Sequence, residues 1–139
     1  HEVVPPRGHP LEPEAAVQAL PNITSAQLKH LRDIDAALDL AMENGDVLGY
    51  MEANFRFHFA IYRENNRPTL NRLIEALWLQ FGPFMRTVYG RYGTANVVDQ
   101  HRVALAAIQA NDANALREAI ASDIRDGMGL IVAGAWAER

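Results

Sequence analysis

The 139-residue chain has no cysteine, which excludes disulfides and thiolate ligands and leaves only nitrogen and oxygen donors for any bound metal. It also lacks an excess of positive charge. The formal net charge is −4, and Lys29 is the one lysine among 13 basic residues. Gripping a nucleic-acid backbone takes a basic face that displaces counterions, so these residues by themselves are not expected to bind DNA. Long apolar runs are missing too. The longest, Gly127 to Ala137, is far below the ~20 residues needed to span a bilayer, so a soluble, cytoplasmic protein is expected. No segment shows the alternation of a strand, an internal repeat or low complexity.

What is present is a helical pattern. With 49% hydrophobic residues the chain can build one core, and one domain is expected. Residues 1–10, HEVVPPRGHP, hold three prolines and no periodicity, and read as a linker or frayed arm ahead of a domain over 11–139. LEPEAAVQAL predicts a short helix ended by Pro21. Thr24 with Gln27 forms a capping-box pattern, after which Leu28, Leu31, Ile34, Leu38 and Met42 make an amphipathic stripe closed by Asn44-Gly45. Asp46 can cap a third helix running to about Asn65. Pro68 starts a fourth, with a kink expected at Gly82-Pro83 and a loop from Gly90 to Ala95. Asn96 with Asp99 opens a fifth, and Asn111-Asp112 breaks to a sixth reaching about Trp136. The expected fold is all-α, an antiparallel bundle of about six helices.

Three of these helices carry polar residues where the spacing calls for apolar ones. Val47, Met51, Asn54, His58 and Ile61 share one helix face, as do Val97, His101, Ala104 and Ile108, and Leu116, Ile120, Asp123, Gly127 and Leu130. Burying a polar group unsatisfied costs roughly 2–7 kcal/mol, so Asn54, His58, His101 and Asp123 are expected to satisfy one another or to share a ligand. Two imidazoles and a carboxylate suit a divalent transition metal, with the Asn54 amide a weak further donor. A hydrogen-bonded network of the same side chains without metal is the alternative.

The residues also resemble a known family. EANFRFHFAIYRENNRPTL resembles the helix bearing the D-x-x-x-H…N-P-x-L signature of the FCD ligand-binding domain of GntR-type transcription regulators. DQHRVALAAIQANDANALREAI is similar to that family's H-x-x-I-x-x-A-I…D-x-x-x-A segment, and PLEPEAA extends the likeness toward the start. The resemblance implies an FCD-like bundle with metal ligands at Asn54, His58, His101 and Asp123. Asn54 stands where the family usually has Asp, and Asp123 where it usually has a third His, so the formal charge of the set is kept. It further implies an effector-binding domain for a small organic acid, with zinc or nickel as the metal, a homodimer, and DNA contacted only through a winged helix that this chain does not contain.

Arg86 and Tyr89 are the candidates for the effector's far end, because the guanidinium fork pairs bidentately with a carboxylate. Arg91 and Tyr92 are weaker candidates, Arg102 should face outward, and Trp78, Phe81 and Phe84 read as core or pocket wall. The apolar Gly127–Ala137 segment is more than one bundle face needs, which also points to a homodimer. No catalytic residue is assigned and no enzyme is expected. Alternatives are a metal-dependent enzyme built on the two-His, one-carboxylate set, against which no additional acid stands in these stripes as a general base, and a metal-free helical interaction module.

Overall fold

The computed structural model describes the backbone of residues 11–93 and 99–137, and side chains as far as Gly127 with the exception of position 92. The 1–10 arm, Asn96, Val97 and the side chains of the Gly127–Ala137 stretch beyond its first residue therefore lie outside the described residues. The described residues form six α-helices: α1 (Leu11–Ala19), α2 (Ser25–Glu43), α3 (Val47–Tyr62), α4 (Pro68–Tyr92), α5 (His101–Gln109) and α6 (Ala113–Ala137). Short 3-10 turns, Leu20–Asn22 and Arg63–Asn65, follow α1 and α3.

Local chemistry sets the boundaries. Thr24 Oγ1 accepts from the Gln27 amide at 3.2 Å while Gln27 Oε1 accepts from the Thr24 amide at 2.6 Å, so the expected capping box starts α2. Gly45, at φ +66°, turns the chain out of α2. Asp46 then caps α3 by accepting from the Gly49 amide at 2.9 Å. Asn65 and Asn71 tie the end of α3 to α4: the Asn65 side chain accepts from the Arg67 amide at 2.8 Å, and the Asn71 side-chain amide donates to the Tyr62 carbonyl at 3.2 Å. Asp112 caps α6 through the Ala115 amide at 3.0 Å.

Two expectations about the fourth and fifth helices are corrected. Gly90 does not begin a loop. A glycine inside a helix costs only about 1 kcal/mol relative to alanine, and α4 runs through it to Tyr92, where Gly93 at φ +75° ends it. The fifth helix opens at His101 rather than Asn96, with Asp99 Oδ1 accepting the His101 amide at 3.2 Å. The α4 helix is continuous through Pro83, whose carbonyl accepts from the Thr87 hydroxyl at 3.0 Å.

Helices α2 and α3 pack as a hairpin; α5 lies against α2 and α6, and α6 also covers α1 and α4. Leu31 and Leu38 of α2, Phe57 and Ile61 of α3, Ile74 of α4, and Leu116 and Ile120 of α6 are buried where these helices meet. The inward faces of α3, α5 and α6 converge, and the polar interruptions of their stripes converge with them.

Candidate metal centre

His58 lies on the fourth turn of α3, His101 is the first residue of α5, and Asp123 follows the buried Ile120 on α6 by one turn. The histidine side chains are 1% exposed and that of Asp123 is 9% exposed. His58 Nε2 is 2.7 Å and His101 Nε2 3.2 Å from the same atom, Asp123 Oδ2. The other carboxylate oxygen, Oδ1, accepts from the Gln100 backbone amide at 3.0 Å. The His101 ring stacks on Phe57 with centroids 4.0 Å apart and planes 13° off parallel, which fixes its plane. Each of the three residues therefore offers one ligand atom to a common point between helices.

The electrostatics follow from this crowding. Burial penalises the Asp123 carboxylate, but hydrogen bonds and charge from His101 and His58 outweigh it and hold the carboxyl well below its usual range. Burial acts against a charged His101, yet the Asp123 and Asp35 carboxylates beside it prevail and raise its pKa to about 9. Without a metal the interior thus holds an ion pair. Nitrogen and carboxylate oxygen donors of this kind suit zinc, nickel and similar divalent ions, so the donor set fits the expected group.

An outer layer surrounds the three, and sequence reasoning did not find it. His58 Nδ1 is 2.9 Å from the Tyr62 hydroxyl. That hydroxyl donates to Glu12 Oε1 at 3.0 Å, and Trp78 Nε1 donates to the same oxygen at 2.8 Å. Glu12 is buried on the first turn of α1, and desolvation raises its pKa despite these donors. Behind the other imidazole, His101 Nδ1 lies 3.3 Å from Asp35 Oδ1 on α2. The two atoms are out of hydrogen-bond alignment, and neither has another hydrogen-bond partner. Asp35, Asp99 and His101 form a second set of close ligand atoms on that side. A signal existed for two of these residues: Asp35 stands four after Leu31 and three before Leu38, and Tyr62 stands one turn after His58.

Asn54, the fourth expected ligand, is buried one turn before His58 on α3. Tyr89 is buried with its ring edge-on to Tyr50 at 5.2 Å. Burial raises its pKa, a hydrogen bond from Tyr50 opposes this, and the charge of Asp123 adds to the rise. Arg86 is exposed, and the structure does not bring it to the histidines. Arg102 is exposed as expected, 3.5 Å from Asp39. Trp78 walls the site against His58, at 5.1 Å between ring centroids, whereas Phe84 is exposed and is neither core nor wall.

The sequence model of the FCD domain matches residues 9–126. The HTH-type transcriptional regulator McbR of Escherichia coli (strain K12) is 29% identical over 124 residues, covering 87% of this chain and 56% of that protein. The solved structure of E. coli McbR/YncC is similar at a TM-score of 0.85 and 27% identity, over 90% of this chain and 60% of that one. The chain spans less than two thirds of the length of both.

Proposed function

The chain belongs to the FCD domain family, and from that premise we propose that it is the effector-sensing part of a transcription regulator, binding a small organic acid through a divalent metal. The observation that carries this reading is the convergence of His58 Nε2, His101 Nε2 and Asp123 Oδ2 from three helices on one buried point. His58, His101 and Asp123 would hold the ion, with the Asn54 amide as a weak fourth donor. When bound, zinc or nickel would supply a Lewis-acidic centre for an effector carboxylate. Tyr89, buried on α4, would bind the effector, and Arg86 would have to reach it from the surface of that helix. The similarity to a protein named as an HTH-type regulator, over little more than half its length, supports a DNA-binding domain ahead of residues 1–10, which would be the linker. The domain would act as a homodimer.

Elemental analysis of protein purified without chelator, followed by calorimetric titration with zinc and nickel, tests the metal. Binding is expected in the wild type and lost in His58→Ala, His101→Ala and Asp123→Ala. A wild type that takes up no divalent ion would refute it. One observation favours a metal-free alternative: at 2.7 Å the His58–Asp123 contact is already a strong charge-assisted hydrogen bond. In that case the three variants would lose stability, with no metal-dependent signal in any of them.

A further inference from the structure

The outer layer fixes which nitrogen of each imidazole faces inward, and with what. Trp78 Nε1–H can only donate, so Glu12 Oε1, 2.8 Å away, is an acceptor. The Tyr62 hydroxyl has one proton and spends it on that same oxygen. Its oxygen is then left to accept, and what it faces at 2.9 Å is His58 Nδ1, which must carry hydrogen. On the other side, His101 Nδ1 lies 3.3 Å from Asp35 Oδ1, a buried carboxylate oxygen that no aligned hydrogen bond satisfies, on a residue 6% exposed. Both rings are thereby backed at Nδ1 by an acceptor, while both Nε2 atoms point at Asp123 Oδ2.

We propose that Tyr62, held by Glu12, and Asp35 are positioning residues that keep a proton on Nδ1 of His58 and His101 and so present both Nε2 lone pairs to the interior. The consequence is electrostatic. With Nδ1 protonated, a neutral ring places a lone pair opposite a carboxylate lone pair, which is repulsive unless positive charge lies between. The arrangement accepts either extra protons or a metal ion, and a metal ion satisfies all three donors at once. Outer carboxylates and hydroxyls behind ligand histidines work in this way, and their loss typically weakens metal binding tenfold to a hundredfold.

This inference rests on the metal reading above, and two separate measurements keep the failures apart. Zinc affinity is measured by calorimetry for wild type, Tyr62→Phe, Asp35→Asn and Asp35→Leu. In parallel, long-range proton–nitrogen correlation spectra of protein labelled on histidine nitrogen report which ring nitrogens carry hydrogen, with and without zinc. Tyr62→Phe should weaken zinc binding at least tenfold and, at a pH leaving one proton per ring, let the His58 proton spread over both nitrogens. Asp35→Asn keeps an acceptor oxygen and should preserve the His101 pattern with a smaller loss of affinity than Asp35→Leu. Zinc binding by the wild type with unchanged affinities and nitrogen signals in Tyr62→Phe and Asp35→Leu would overturn the inference alone. If the wild type binds no zinc, the metal reading falls, and the nitrogen spectra of metal-free wild type and Tyr62→Phe still decide the inference.

Discussion

Raising the pH of the metal-free protein from 6 to 9 should weaken its fold, because His101 carries a proton in the folded state that it would give up in the unfolded chain. Its pKa rises from 6.5 to about 9 on folding. Between those values the folded state binds more protons than the unfolded one, so unfolding free energy falls as pH rises. The stabilisation is complete below 6.5 and gone once pH passes 9. At 1.36 kcal/mol per pKa unit the loss is about 3 kcal/mol, a large share of a typical 5–15 kcal/mol. Urea denaturation with chelator at several pH values measures it. For a slope of about 2 kcal/mol per molar, the midpoint should drop by roughly 1.5 M. The metal-loaded protein should trend the other way, since binding to neutral imidazoles releases protons and strengthens as pH rises through the imidazole range. A chelated protein whose stability is flat or rising from pH 6.5 to 9 would refute the ion pair. An undiminished fall in His101→Gln would refute its assignment to His101.

Asn54→Asp, measured by zinc calorimetry, should tighten binding by adding a second carboxylate to the donor set, while Asn54→Ala should cost less than loss of either histidine. Ile120→Ala removes a fully buried side chain from the N-terminal third of α6, and chemical denaturation should show a loss of about 2–5 kcal/mol. Thr24→Ala breaks the capping box of α2 and should cost about 1 kcal/mol in the same assay, leaving metal affinity unchanged because α2 contributes Asp35 about three turns further on.

The inner residues were legible because polar residues in an otherwise apolar stripe are conspicuous: Asn54 and His58 break one such stripe, His101 a second and Asp123 a third. Helix boundaries were legible wherever a side chain caps them, as at Thr24, Asp46 and Asp112. The outer layer was hidden for a different reason. Glu12 sits in the first turn of α1, where acidic residues are ordinary partners of the helix dipole, and only the folded arrangement shows it buried beneath Tyr62 and Trp78. Asp35 is one of several acids along α2, among them Asp33 and Asp39, and its neighbour Ile34 already supplies the core contact at that turn. Arg86 was singled out by the chemistry of its side chain, and no periodicity argument placed it on the buried face of α4.

The carboxylate of Asp123 divides its two oxygens between tasks, one for the imidazoles and one for the backbone amide of Gln100 just ahead of α5. That amide can exchange its hydrogen with solvent only after releasing Oδ1. Its exchange lifetime is therefore a clock for the carboxylate: anything that lets Asp123 swing away shortens it, and anything that pins Asp123 lengthens it. A single backbone position next to α5 thus registers occupancy of the interior without any label on the ligand.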